Sequence, residues 1–246
     1  MKASDRINII KDWIIEYCNS MKKNPSCLVI GVSGGIDSAV TSSICSMTKK
    51  NTIVVSMPIR QNSTQYNLSL AHQDWLKKYY NNVECYNISL ESVFGNFEKT
   101  LNNFQNELGF ANSRSRLRMA TLYQIAQSKS GIVVGTGNKV EDFGVGFFTK
   151  YGDGGVDISP IADCTKTQVW EMSKELGIIE PIINAKPTDG LWDDNRNDED
   201  QLGLSYKQIE EAMKNNKSKY FRKYTSIRES NLHKMKPIPV CKFRDE

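Results

Sequence analysis

The sequence predicts an α/β fold with a doubly wound parallel sheet, because strand-like apolar runs alternate with segments of helical periodicity. Two short β-branched runs, 27–32 and 52–58, enclose a helix-length segment at 37–49, which is the pattern of a βαβ unit. Two further strands are predicted at 83–88 and 131–136. Strands that return in parallel through helices place helices on both faces of one sheet.

The helices are predicted from the spacing of apolar residues. Ile7, Ile10 and Ile14 recur at helical intervals, so the chain should open with an amphipathic helix over 5–22. Thr165 is a candidate N-cap and Gly177 a stop signal for a helix over 165–176. The same periodicity predicts further helices over 64–80, 90–108, 112–129 and 205–230.

Length and composition are those of one ordinary globular domain. With 246 residues, 39% of them hydrophobic and 24% charged, the chain can bury one sizeable core, and we expect a single domain over 1–246. No apolar run approaches the roughly 20 residues that span a bilayer. The N-terminal segment has charges among its apolar residues, unlike a secretory signal, so a cytoplasmic protein is expected.

Cysteine, histidine and charge content exclude several classes of site. The six cysteines include no CxxC pair, which favours reduced and mostly buried thiols. Two histidines, His72 and His233, are too few for the usual zinc motifs. The formal net charge of +4 is mild and the basic residues are dispersed, so neither a nucleic acid nor a membrane is an expected partner.

The tightest turn of the first βαβ unit is the stretch "VIGVSGGIDSAV", residues 29–40. Glycines allow a concave turn between strand and helix, and the N-terminus of the helix that follows favours an anion. In an open α/β sheet, ligands bind beyond the carboxyl ends of the strands, where this turn lies. The turn therefore predicts a phosphate site.

The motif is neither of the two common glycine-rich nucleotide loops. A Walker A loop needs a Gly-Lys dipeptide, which the chain lacks, and the dinucleotide fingerprint is also absent. "SGGIDS" instead resembles the PP-loop of the ATP pyrophosphatases, which cleave ATP between its α and β phosphates. The resemblance implies a Rossmann-like adenine nucleotide alpha hydrolase fold with extra helices. It also implies an ATP-binding loop formed by Gly31, Val32, Ser33, Gly34, Gly35, Ile36, Asp37 and Ser38.

Within that superfamily, three further stretches are similar to the NAD⁺ synthetase family. They are "NSRSRLRMATLYQIA" (112–126), "VVGTGNKVEDFGVGFFTKYGDGGVDISPI" (133–161) and "KPTDGLW" (186–192) with the acidic run after it. They occur in the family's order, and the resemblance covers essentially the whole chain. It implies ATP-dependent amidation of deamido-NAD by ammonia, which yields NAD⁺, AMP and diphosphate through an adenylate of the substrate.

The same resemblance assigns the residues on the ATP side of the reaction. Asp37 and Glu141 would supply carboxylates to Mg²⁺, and Lys166 would place a cation near the ATP phosphates, which makes Asp37 and Lys166 the candidate catalytic residues. Thr136 and Thr188 would also contact ATP.

For deamido-NAD the resemblance implies a second, cationic set: Arg116, Lys150, Asp157, His233 and Lys234. Two of these have simpler alternatives, since Arg116 could belong to a solvated basic helix face and His233 could be a surface histidine. The spacing from Glu141 to "GFFTK" is one residue longer than in some family members, which bears on the assignment of Lys150. Family members of this type are homodimers with this site at the subunit boundary, so a homodimer is expected.

Free ammonia is the predicted nitrogen donor, because the PP-loop begins near residue 31 and leaves no room ahead of it for a nitrilase-like amidase domain. The glycine-rich stretch 137–157 and the acidic stretch 189–203 are candidates for loops that close over the ligands. Cys164 is read as a buried structural thiol rather than a nucleophile.

Two other functions stay open on the sequence. One is another amidating or thiolating PP-loop enzyme, similar to GMP synthetase or to a tRNA-modifying enzyme, and the other is an ATP-binding module without catalysis. The missing cysteine pair and mild charge count against tRNA modification. The retained Asp37, Glu141 and Lys166 count against a mere binding module.

Overall fold

The computed structural model describes residues 1–187 and 198–243. A π-helical turn, Glu141–Val145, precedes the sixth α-helix. No helix in these two ranges combines the length and the apolar character needed to cross a membrane. The regular elements, in chain order, are α1 (Ala3–Ser20), β1 (Cys27–Gly31), α2 (Ile36–Met47), β2 (Asn51–Ser56), α3 (Ser63–Tyr79), β3 (Val83–Asn87), α4 (Glu91–Thr100), α5 (Glu107–Ser128), β4 (Ile132–Val133), α6 (Lys166–Glu175), α7 (Glu180–Ile183), α8 (Asp198–Leu202), α9 (Tyr206–Lys214) and α10 (Phe221–Met235).

In the described part of the chain the sheet has four parallel strands in the order β3-β2-β1-β4. Val29 of β1 pairs with Ile53 on one side and with Val133 on the other. The chain thus crosses from one side of β1 to the other, which creates a switch point at the carboxyl ends of β1 and β4. The predicted doubly wound α/β fold is confirmed.

Helices cover both faces of this sheet, as the alternation of side chains along β1 requires. Leu28 and Ile30 are fully buried in a cluster that also contains apolar residues of α1, α2 and α6. Val29 points to the other face and packs with Val133 against residues of α4 and α5. The glycine-rich turn after β1 therefore begins from a strand that is buried on both sides.

A third apolar cluster lies outside the sheet and joins the C-terminal helices to the π-helical turn. It contains Val140 and Val145 next to Tyr206 and Ile209 of α9 and Tyr224 of α10. This packing fixes the segment that carries Glu141 relative to the end of the chain.

Two predicted helix boundaries are wrong. The single helix expected over 90–108 ends at Thr100, and the next begins at Glu107 rather than at residue 112. Asn106 accounts for the new start, because its side chain accepts a hydrogen bond from the backbone N–H of Gly109 at 2.6 Å.

The helix predicted over 205–230 is two helices, α9 and α10. Asn215 ends α9 in an extended conformation, and a turn follows in which the N–H of Ser218 bonds to the Asn215 carbonyl at 3.1 Å. Short polar side chains bond to nearby backbone and so compete with helix continuation. By contrast, Thr165 is the predicted N-cap of α6, with a capping box to Gln168, and Gly177 follows that helix at φ +68°.

The glycine-rich stretch 137–157, predicted as a long loop, contains the π-helical turn. The N–H of Val145 bonds to the carbonyl of Val140 at 3.0 Å, which is the i→i+5 pattern of a π-helix. A π-turn holds one residue more than the corresponding α-helical turn.

Candidate active site

The turn after β1 is a concave loop closed by its own serines. Gly34 has φ +89°, a left-handed conformation suited to glycine, and a Cβ there would collide with the Gln65 carbonyl. The Ser33 hydroxyl accepts a hydrogen bond from the Gly35 N–H at 3.2 Å, and the Ser38 hydroxyl donates to the Gly35 carbonyl at 2.9 Å. These contacts shape the backbone of the turn.

The turn leads directly into α2, whose N-cap, Gly35, forms no side-chain cap. The first N–H groups of a helix have no intrahelical acceptor, and the helix dipole adds partial positive charge there. The arrangement is therefore suited to an anion such as a phosphate.

A cavity of about 480 Å³ opens beyond this turn at the carboxyl ends of β1 and β4. Its floor is the glycine-rich turn, and Gly135, Thr136 and Gly137 line it after β4. Leu122 and Met119 of α5 give one wall an apolar character, and Lys186 and Pro187 also line the cavity. The cavity lies at the switch point of the sheet, where ligands of such folds bind.

A buried ammonium group joins the elements around the cavity. Lys166 is 2% exposed, and its Nζ donates to Asp37 Oδ2 at 2.5 Å and to Glu141 Oε1 at 2.8 Å. Asn138 donates from Nδ2 to the other Asp37 oxygen at 3.0 Å. Three segments far apart in the sequence thus converge on one cation.

Local sequence explains how these side chains reach each other. Lys166 is the first residue of α6, placed by the Thr165 cap, and Asp37 lies in the first turn of α2. Burial acts to lower the pKa of Lys166, but the charges of Asp37 and Glu141 outweigh it and raise the pKa above that of an ordinary lysine. The side chain therefore remains an ammonium ion throughout the physiological pH range.

Glu141 has a second partner in Tyr206, which is 1% exposed. The Tyr206 hydroxyl lies 2.5 Å from Glu141 Oε1 and 2.8 Å from Asp198 Oδ2. Its ring packs edge-on against Trp170 with centroids 6.0 Å apart. Burial and the neighbouring carboxylates raise the pKa of Tyr206, so the phenol keeps its one proton to donate, and Glu141 Oε1 is the nearer acceptor.

Helix α10 holds the main chain of the π-helical turn. Arg228 Nη1 donates to the carbonyls of Phe143 at 2.5 Å and Gly144 at 2.6 Å, and Asn231 Nδ2 donates to the Val145 carbonyl at 3.0 Å. These carbonyls end the turn and need donors from outside it. The backbone after Glu141 is thereby tied to the C-terminal helix.

Two further carboxyl groups lie at the cavity, Asp142 and Asp153. Burial, followed by the charge of Asp153, raises the pKa of Asp142 well above its usual range. Asp153 Oδ1 accepts hydrogen bonds from the Ser115 hydroxyl at 2.6 Å and the Thr149 N–H at 3.0 Å. The acidic side of the cavity therefore extends from Asp37 towards α5.

Comparison with known proteins places this geometry in a family. The family model for NAD synthase matches residues 6–243. An NH3-dependent NAD⁺ synthetase from Malacoplasma penetrans is 40% identical over 214 residues, covering 85% of this chain and 82% of that protein. The chain belongs to the NAD synthase family.

Solved structures agree with this NAD synthase assignment. The structure of NMN synthetase from Francisella tularensis superposes with a TM-score of 0.90 at 30% identity and covers 99% of this chain and 100% of that one. The NH3-dependent NAD synthetase from Campylobacter jejuni superposes with a TM-score of 0.79 at 24% identity, covering 98% and 100%, which supports the fold. The family and enzyme class expected from the sequence are confirmed.

The residues that the sequence assigned to the ATP side of the NAD synthase site lie together. Residues 31–38, Thr136, Glu141 and Lys166 all line the cavity. Thr188 lies outside the described residues, as does most of the acidic stretch 189–203; its end forms α8. What these residues bind stays a prediction.

The residues assigned to deamido-NAD are not brought together in one chain. Lys234 lines the cavity and donates from Nζ to the Phe148 carbonyl at 2.8 Å. Arg116 is exposed and bonds through Nε to the Lys150 carbonyl at 3.2 Å, and His233 is exposed on α10. Asp157 accepts hydrogen bonds from Tyr123 at 3.1 Å and from the Val133 N–H at 2.7 Å, which ties it to β4.

These contacts bear on two sequence alternatives, and the role of Arg116 itself stays a prediction. The basic cluster around Arg116 is not a uniformly solvated helix face, because Arg114 is 6% exposed and lies over the Phe94 ring, and Arg118 bonds to the Met57 carbonyl at 3.0 Å. Cys164 is 4% exposed, and burial raises the pKa of its thiol to about 11. That is the environment of a structural thiol, as predicted.

The cysteine prediction holds for most positions. All six thiols are free, and Cys18, Cys27, Cys45 and Cys164 are buried. Cys241, however, is exposed in the extended C-terminal tail, where no core element covers it.

Sequence reasoning missed several residues of the site. Asn138 could have been found, because it directly follows the "GTG" after β4, whose three residues line the cavity, and it bonds to Asp37. Asp198 lies in the acidic stretch 189–203 that the sequence singled out, whereas Tyr206 carries no comparable signal, since it reaches Glu141 from 65 residues away. Only the packing of α9 against the π-helical turn brings them together.

Replacing Gly34 with Ala should disrupt the anion-binding turn, because the new Cβ meets the Gln65 carbonyl at a left-handed φ. We expect ATP affinity to fall at least tenfold in isothermal titration. Gly95→Ala in α4 is the matched control, since nothing lies within 4 Å of its added Cβ. That variant should bind ATP normally. Equal affinity for both variants would contradict the role of the turn.

Proposed function

We propose that this chain is an ammonia-dependent NAD⁺ synthetase, which amidates deamido-NAD with consumption of ATP and release of AMP and diphosphate. The observation that supports this most directly is the convergence of Asp37, Glu141 and Lys166 in one cavity beside the glycine-rich turn. The relatives named NH3-dependent NAD⁺ synthetases support the choice of reaction.

The chemistry of the reaction explains the need for this arrangement. A nicotinate carboxylate is a poor electrophile, because its charge is delocalised and an oxide ion is a bad leaving group. Attack of that carboxylate on the α-phosphorus of ATP forms an acyl-adenylate and expels diphosphate. Ammonia then attacks the acyl carbon, and AMP leaves. The nitrogen of the adduct gives up a proton to solvent before AMP is expelled, and the expulsion of AMP forms the amide.

The chain's own residues suit the first step. The N–H groups at the start of α2 and the turn 33–38 would hold the departing diphosphate. The Lys166 ammonium, placed in advance and desolvated, would stabilise charge that gathers on the phosphates. Its contacts with Asp37 and Glu141 fix its position before ATP arrives.

Asp37 and Glu141 fit the magnesium ion that this chemistry implies. Both carboxylates approach the same ammonium group, so a cation is already favoured between them. Within residues 1–187 and 198–243, no group of three or more potential ligands forms a complete protein cage. Mg²⁺ usually takes one or two carboxylates and completes its coordination with phosphates and water. When bound, it would neutralise charge on the phosphates during transfer.

Replacing Asp37 with Asn should reduce turnover by at least a hundredfold and ATP affinity by much less. The reason is that the amide keeps the shape of the site and removes a negative charge that the metal and Lys166 need. Steady-state kinetics and a separate ATP titration measure the two effects. An unchanged rate would contradict the metal assignment.

Nicotinate mononucleotide is a second candidate substrate, to be compared directly with deamido-NAD. The superposition with the F. tularensis NMN synthetase extends over essentially both chains at a TM-score of 0.90. The same activation and amidation would convert nicotinate mononucleotide into NMN. The two candidates differ only in the adenylate half of the dinucleotide. The residues proposed to hold the dinucleotide are Arg116, Lys150, Asp157, His233 and Lys234.

The deciding experiment incubates the protein with Mg-ATP and ammonium and with equal concentrations of deamido-NAD and nicotinate mononucleotide. Chromatography should show more NAD⁺ than NMN. The amount of AMP, and likewise that of diphosphate, should equal the total amount of the two amides. If NMN is the main product, nicotinate mononucleotide and not deamido-NAD is the preferred substrate. AMP without either amide would indicate another PP-loop enzyme, and no ATP consumption would favour the binding module.

Free ammonia is the nitrogen donor in this proposal, in line with the relatives named NH3-dependent. Oxygen atoms of Asp142 and Asp153 border the cavity and would accept hydrogen bonds from ammonia. The activated substrate must be kept from water, a role that we assign to the segments 137–157 and 189–203.

We also propose that the protein acts as a homodimer in the cytoplasm. Exposed apolar side chains lie around α4 and α5, with Val93 50%, Phe97 41% and Phe104 75% exposed. Arg116 and Lys150 lie beside one another at the protein surface, where a second copy could complete their site. The free state of all six thiols is consistent with a reducing compartment.

Light scattering during gel filtration should return twice the chain mass of 27.9 kDa at micromolar concentration. Phe104→Glu should shift the protein towards the monomer, because a charge would replace apolar surface at the proposed interface. Tyr79→Glu, which alters an exposed aromatic residue of α3, should leave the dimer intact. A monomeric wild-type protein would contradict the proposal.

A further inference from the structure

Glu141 differs from Asp37 in what fixes its carboxylate. Asp37 has a short side chain, and Lys166 and Asn138 bind its two oxygens separately. Glu141 has a longer side chain, and Lys166 and Tyr206 both bind to Oε1. If a phosphate or a metal ion draws Lys166 away, Tyr206 is the partner of Oε1 that stays in place.

Tyr206 is itself rigidly placed. It is the first residue of α9, after the capping residue Ser205, and its backbone N–H donates to Glu199 Oε1 at 2.9 Å. The ring is 1% exposed and packs against Trp170, and the Lys166 ammonium lies 4.9 Å from the ring centroid. Because its surroundings fix the Tyr206 ring, the position of the hydroxyl is also fixed. The longer Glu141 side chain can then be oriented by its hydrogen bond to that hydroxyl.

The Tyr206 hydroxyl also links Glu141 to the segment that carries the predicted ATP contact Thr188. Asp198 Oδ2 lies 2.8 Å from this hydroxyl, and the Asp198 N–H donates to the Pro187 carbonyl at 3.1 Å. Asp198 and Pro187 both line the cavity, whereas Tyr206 lies behind them. The hydroxyl therefore acts from outside the cavity on groups that face it.

We propose that Tyr206 is a positioning residue for the reaction, whose hydroxyl orients the Glu141 carboxylate towards the metal of the bound Mg-ATP. This inference rests on the proposed assignment of Glu141 to magnesium. Residues that orient a metal ligand commonly contribute 10- to 100-fold in metal affinity or activity. Tyr206 touches neither the cavity nor the reacting atoms, so its effect should pass through Glu141.

Tyr206→Phe removes the hydroxyl and leaves the ring. We expect about tenfold weaker binding of Mn²⁺, measured by electron paramagnetic resonance in the presence of α,β-methylene-ATP, which cannot be cleaved at the relevant bond. The Mg²⁺ concentration for half-maximal turnover should rise similarly, while the KM for ATP at saturating Mg²⁺ changes little. Tyr224→Phe, in the same apolar cluster but away from the cavity, is the matched control and should keep the wild-type Mn²⁺ affinity.

A double-mutant cycle with Glu141→Gln separates a positioning role from general destabilisation. If Tyr206 acts through Glu141, adding Tyr206→Phe to Glu141→Gln should weaken Mn²⁺ binding by less than twofold further. Independent, multiplying losses would overturn the proposal, as would an unchanged Mn²⁺ affinity of Tyr206→Phe or of Glu141→Gln alone. A loss in Tyr224→Phe equal to that in Tyr206→Phe would also overturn it.

These binding measurements need no nicotinate substrate, so they are independent of amide formation. A wild-type protein that forms no amide contradicts the proposed reaction. Wild-type Mn²⁺ affinity in Tyr206→Phe contradicts the positioning role.

Discussion

The buried contact of the Lys166 ammonium with Asp37 and Glu141 is the interaction on which the site depends. Lys166 is 2% exposed, so its charge is removed from water and must be compensated by the two carboxylates. Removal of one partner from such a buried group costs about 3–5 kcal/mol in general, because it leaves a charge without compensation. The contact therefore holds the starts of α2 and α6 and the π-helical turn in one arrangement.

The rest of the fold can be understood as support for this contact. The crossover from β3 to β4, on the other side of β1, brings the residues after β4 to the same edge of the sheet as the turn 33–38. The C-terminal helices form the apolar cluster around Tyr206, and α10 donates hydrogen bonds to the carbonyls that follow Glu141. Distant parts of the chain thus fix the one glutamate that is proposed to hold magnesium.

The two halves of the proposed site differ in their completeness within one chain. The turn, the carboxylates and the lysine on the ATP side are assembled and held by short contacts. Of the five residues assigned to deamido-NAD, only Lys234 lines the cavity, whereas Arg116 and His233 are at the surface. A second subunit would explain this difference, since a site at a boundary is completed only on assembly.

The sequence by itself determined the fold class, the strand-turn-helix around "SGGIDS", the cap of α6 and the family, because each depends on residues that are close in the chain. Local periodicity and capping chemistry can be read from such neighbours. The helix prediction from the sequence was wrong at 101–106 and 215–220. At both places polar side chains bond to the backbone and end a helix that the apolar spacing alone would continue. Only the tertiary structure decided that Tyr206 meets Glu141 and that Arg228 holds the π-helical turn. Those contacts depend on how α9 and α10 pack against a loop some 60 to 90 residues earlier, for which the sequence contains no local signal.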